Sequence, residues 1–104
     1  MSVSKAFAAF MQEAPAHAEA WMQVAKALDD ACALDKKTEE LAYIAVLAAL
    51  GNTSGIPFHV LSAKSHGASR QEVLSAVLIG LPAAGSTVIG ALPVALEAYD
   101  EKGQ

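Results

Sequence analysis

From Val73 to Leu96 the chain carries no charged residue, and this stretch limits the possible folds more than any other. A run of that length could cross a bilayer. Gly80, Pro82, Gly85, Gly90 and Pro93 interrupt it, with Ser86 and Thr87 between, and such punctuation favours two buried helices over one continuous span. The expected environment is therefore a protein core and not a membrane. Elsewhere apolar residues recur at three and four spacing, and no alternating pattern lasts more than a few residues, so the period is helical. The reading is an all-α chain forming a single domain over residues 1–104, with about six helices.

The helices can be placed by their end signals. Val3, Phe7, Phe10 and Met11 form one face of a short first helix. Pro15 suits the first turn of a second, whose stripe of Trp21, Met22, Val24, Ala25 and Leu28 is assigned to the core. Asp35 caps a third helix, Lys36 to Leu50, which Gly51 and Asn52 end. Because only the Tyr43 hydroxyl breaks its apolar run from Leu41 to Leu50, that helix is expected to be central and buried on most sides. After a turn at Asn52 to Gly55, Pro57 opens a fourth helix that runs to His66 and stops at Gly67. Ser69 and Glu72 match a capping box and start a fifth helix continuing to about Gly80. A last helix is expected from about Ser86 to Asp100, kinked at Pro93, with Lys102 to Gln104 fraying.

Composition excludes several function classes. The net charge of -4 provides no basic stripe, so nucleic acid is not an expected partner. Cys32 is the one cysteine, which rules out an internal disulfide, a CxxC pair and a multi-thiolate zinc site, and reads as a small buried apolar residue. Met1 to Phe10 lacks the apolar core of a secretory signal, so the expected location is cytoplasmic. At 54% hydrophobic residues the chain has more apolar surface than one small domain hides, and part of it is expected to meet other subunits.

Three polar groups stand out on this background: Glu40, Tyr43 and His59. Glu40 and Tyr43 share a helix face at i, i+3, and a four-residue turn would fold the next helix, with His59, back against them. A carboxylate beside an imidazole fixes its tautomer and makes a pair able to move a proton near neutral pH. His66 lies on roughly the same face as His59 two turns on, but too far for two histidines to chelate one ion, so no metal and no other cofactor is expected. His17 is expected to be exposed, and Ser62 and Ser65 lack the surroundings of a nucleophile elbow.

The sequence Leu34-Asp-Lys-Lys-Thr-Glu-Glu-Leu-Ala-Tyr43, then the apolar run, then His59 to Gly67, then Gly67-Ala-Ser-Arg-Gln-Glu72, resembles the carboxymuconolactone decarboxylase and AhpD-like alkylhydroperoxidase superfamily over roughly Leu34 to Gly85. The resemblance implies an AhpD-like helical fold assembled as homo-trimers or hexamers. Its redox branch carries Cys-x-x-Cys-x-x-x-His with a glutamate twelve residues before the first cysteine. In this sequence the glutamate and histidine positions are Glu40 and His59, while the cysteine positions hold Asn52 and Gly55. Thiol peroxidase chemistry would thus lack both its nucleophile and its resolving thiol. The decarboxylase branch, a lyase using acid–base chemistry on a lactone acid, is the nearer analogy.

The expected function is non-redox binding of a small organic acid or related metabolite. His59 would be the general acid/base, Glu40 its orienting carboxylate, and Tyr43, Asn52, Thr53 and Ser54 the hydrogen-bonding residues around the ligand. That branch commonly offers arginine to a dicarboxylate, and Arg70, the one arginine here, would have to arrive from the fifth helix or a neighbouring subunit. The alternatives are a catalytically silent oligomeric scaffold that retains the two residues from an ancestral redox site, and a residual peroxidase using Cys32.

Overall fold

A computed structural model describes residues 4–101. Their order is α1 (Lys5–Glu13), α2 (Pro15–Ala31), α3 (Lys36–Leu50), a 3-10 turn (Thr53–Gly55), α4 (Ile56–Ser65), α5 (Arg70–Leu78), a short α6 (Leu81–Ala84), a 3-10 segment (Gly85–Ala91) and α7 (Leu92–Asp100). The fold is all-α. Val3 and the Lys102 to Gln104 end, for which a helix face and fraying were expected, lie outside the described residues.

Local chemistry sets most of these boundaries. The Asp35 carboxylate accepts from the Thr38 amide at 2.8 Å, and Gly51 ends α3 at φ +71°, a conformation open to glycine at no steric cost. Gly67 (φ +95°) does the same just past α4. At α5 the capping box is complete: the Glu72 amide donates to Ser69 Oγ at 3.0 Å, and the Ser69 amide donates to Glu72 Oε1 at 2.9 Å. Pro15, Pro57, Pro82 and Pro93 each lie in the first turn of a helix, where the missing amide hydrogen has no partner to lose.

The charge-free run departs from the expected pair of helices. α5 stops at Leu78, Pro82 starts the one-turn α6 inside the expected break, and the chain passes through 3-10 geometry before Pro93 opens α7. Pro93 therefore begins a helix and does not kink one. In length and hydropathy the Arg70–Asp100 stretch could span a membrane, yet it folds back so that α5 and α7 pack on each other.

The core lies where α3, α4, α5 and α7 meet. Ile44, Ile56, Val60, Val73, Val77 and Val88 are fully buried, and Tyr99 ties the end of α7 to the α4–α5 turn by donating its hydroxyl to the Ala68 carbonyl at 2.8 Å. Burying side chains of this size contributes about 1.5–3 kcal/mol each. α1 and α2 pack chiefly on one another and stand apart from this core.

Two expectations about burial fail for that reason. The α2 stripe is not core: Trp21, Met22, Val24 and Leu28 are exposed, and Ala18 is the buried residue of that helix. Nor is α3 enclosed on most sides, since Tyr43, Val46 and Leu50 are exposed while Ile44, Leu47 and Ala48 are buried. Cys32, expected to be buried, is half-buried at the C-cap of α2.

Candidate functional site

The open face of α3 and the apolar stripe of α2 face a common cavity of about 790 Å³, which Phe7 of α1, Leu34 and the start of α4 also line. This is the size range of small-molecule sites. Its lining is largely hydrophobic, with Trp21, Met22, Leu28, Val46 and Phe58 among the larger side chains. None of these was singled out as a site residue from sequence. The excess of apolar composition signalled surplus hydrophobic surface, but periodicity cannot distinguish a face turned to the core from one turned to a cleft.

Within the cleft, His59 Nδ1 and Glu40 Oε1 are 2.7 Å apart. The Asp35 cap and the Gly51 stop fix the length of α3, and the short 3-10 turn brings α4 back along it, so residues 19 apart in sequence meet side by side. The Glu40 side chain is 8% exposed and that of His59 26%. Burial favours the neutral form of Glu40, but hydrogen bonding from His59 and Ser62, with the charges of His59 and Lys36, more than offsets it and holds the carboxyl below its ordinary range. An ionised carboxylate only accepts, so Nδ1 carries the hydrogen and donates. In the neutral ring the basic lone pair is then on Nε2, which has no hydrogen-bond partner among the described residues.

Aromatic neighbours hold the ring in place. Tyr43 meets it edge-on with centroids 4.5 Å apart, and Phe58 does so at 5.2 Å. Tyr43 therefore lies where it was expected, one turn along α3 from Glu40. Asn52 and Ser54 also line the cleft and bond to each other, Ser54 Oγ donating to Asn52 Oδ1 at 3.3 Å. Thr53 does not join them: it starts the 3-10 turn, is exposed and is not part of the lining.

The remaining candidates lie elsewhere. His17 is exposed. His66 sits at the C-cap of α4 with Nδ1 donating to the Ser62 carbonyl at 2.8 Å, away from the cleft. Among the described residues no three His, Cys, Asp or Glu side chains form a group able to hold a metal ion. Arg70 does not reach the cleft within this chain; it forms a two-pronged pair with Asp100, Nε to Oδ1 and Nη2 to Oδ2 both at 2.9 Å. Among the described residues the lysine that lines the cleft is Lys36, a residue not anticipated there, with Nζ 2.8 Å from Asp29 Oδ1 and 3.7 Å from Glu39 Oε1.

A helical domain with a buried carboxylate orienting an imidazole in an apolar cleft has the form of an acid–base or ligand-binding site. The chain belongs to the carboxymuconolactone decarboxylase family, whose profile matches residues 15–97. The match takes in α2 through most of α7, so it spans both walls of the cleft and the Glu40–His59 pair. Comparisons with curated proteins and with solved structures found no match.

Proposed function

We propose that this family member is a non-redox protein in which His59 is the general acid/base and Glu40 orients it, acting on a small organic metabolite, an organic acid or a related compound. The observation that carries this reading is the 2.7 Å contact between a nearly buried carboxylate and an imidazole within a cavity of ligand size. His59 Nε2 takes a proton from the bound molecule, whose broken bond leaves its electron pair on the ligand. The imidazolium so formed is stabilised by the Glu40 carboxylate, and the proton returns to the product. In this reading Tyr43, Asn52 and Ser54, which line the same cavity, hydrogen-bond a developing oxyanion.

A thiol mechanism has less support. Asn52 and Gly55 stand at the two positions that carry cysteine in the redox branch, and Cys32 caps α2 outside the cleft lining. The measurement that separates catalysis from a silent scaffold is turnover by His59→Ala. On a substrate that the unaltered protein converts, the rate falls by about 10² to 10⁴ while the protein remains folded, though with a lower melting temperature because buried Glu40 loses its partner. An unchanged rate removes His59 from the chemistry.

A further inference from the structure

We propose that the cleft takes an uncharged, mainly apolar carbonyl compound and discriminates against dicarboxylates. This rests on reading the cleft as a ligand site and chooses between the two ligand types left open above.

The charges in the lining carry the argument. Asp29, Glu39 and Glu40 are acidic, and against them stand Lys36 and the His59 ring. Lys36 is already engaged, 2.8 Å from Asp29 and 3.7 Å from Glu39, and His59 is engaged by Glu40 at 2.7 Å. An incoming carboxylate would meet cationic groups whose charge is already offset by an acidic neighbour, and would lie close to that neighbour. In a cleft walled by Trp21, Met22, Leu28, Val46 and Phe58 the repulsion is less screened than in bulk water. A second carboxylate on the ligand doubles the cost.

The same walls suit an apolar body, and the polar edge of the cleft suits a carbonyl oxygen. The Tyr43 hydroxyl has no hydrogen-bond partner among the described residues and is free to donate, and Asn52 and Ser54 belong to the same lining. An apolar protein surface laid over the cleft would instead leave the Nε2 edge of His59 covered and unmatched, a costly arrangement. A small molecule with an apolar body and one carbonyl matches both halves of the cleft.

Trp21 is the only tryptophan of the chain and lines the cleft, so its emission reports occupancy directly. The full chain is titrated near neutral pH and at low salt with 3-phenylpropanamide, 3-phenylpropanoate and 2-phenylsuccinate, which share a phenyl group and differ chiefly in charge. The amide binds about tenfold or more tighter than the dianion, with the monoanion between them. Asp29→Asn combined with Glu39→Gln narrows that gap by strengthening the dianion more than the amide. Equal or tighter binding of 2-phenylsuccinate overturns the proposal, while a His59→Ala rate loss would still uphold the acid–base reading. If none of the three alters Trp21 emission at millimolar concentration, the ligand-site reading falls and this inference with it. Trp21 emission that is shielded without ligand and shifts to the red on dilution means that a second copy fills the cleft, which also overturns it.

Discussion

At the scale of single residues the buried Glu40 carboxylate is the group on which site and stability both turn. Its folded value lies below its ordinary 4.5, so in this chain the ionised form is favoured by folding. The stabilisation is therefore fully present above pH 4.5 and is lost as the pH falls through the lower folded value. Asp29, Asp35, Glu72 and Asp100 are also held below their ordinary range, by partners at the surface, so total acid sensitivity does not isolate the site. The difference between proteins does. Urea denaturation across the acid range is expected to show a steeper fall for the unaltered chain than for Glu40→Gln, whose amide cannot ionise. Parallel curves would mean that folding does not lower the Glu40 pKa. Identifying this pair was within reach of the sequence because a carboxylate and a histidine are conspicuous on apolar helices joined by a short turn. Thr53 was not legible: in a three-residue 3-10 turn neighbouring side chains point in different directions, and spacing alone does not say which of them face the cleft.

At the scale of elements, caps and left-handed glycines decide where helices stop, and α3 and α4 meet in register because of them. Ser69→Ala removes one side of the α5 capping box and is expected to cost about 1 kcal/mol, or a drop of about 4–8 °C in melting temperature for a domain of this size. Gly51→Ala places a side chain at φ +71°, with Thr87 Cγ2 at 3.5 Å from the new methyl. The methyl contact is ordinary van der Waals packing, so the expected loss, about 1–2 kcal/mol, comes from the backbone conformation. Calorimetric scans of the two variants check both figures, and no change for Gly51→Ala would mean that α3 ends differently. These boundaries were legible because capping depends on adjacent residues. The fate of Leu81 to Ala91 was not, because Gly and Pro announce a break without specifying whether the chain then forms α-helix, 3-10 helix or loop.

At the scale of the whole molecule two apolar surfaces are left exposed among the described residues. One is the α2 stripe beside the cleft, with Trp21 53% and Leu28 66% exposed. The other lies where α3 and α5 end, with Leu50 73% and Ile79 71% exposed and Leu81 and Ile89 nearby. We propose that the second surface mediates self-association, as trimers or hexamers, leaving the cleft to its ligand. Light scattering at micromolar concentration is expected to give a mass above that of one chain. Leu50→Ser with Ile79→Ser is expected to lower it without changing Trp21 emission. A monomeric mass for the unaltered protein rejects this assembly.

The sequence by itself determined the all-α class and the caps and stops that delimit α3, α4 and the start of α5, and it marked Glu40 and His59 as candidates for a pair. Each of these depends on near neighbours or on a single short connection. Only the tertiary structure decided that α1 and α2 stand off the core, that their apolar stripe and the outer face of α3 border a cleft, and that Lys36 enters it while Arg70 does not. A hydrophobic face is favoured by any surface that shields it from water. Which surface that is, the rest of this chain, a ligand or another copy, depends on how whole helices pack and not on the pattern within one of them.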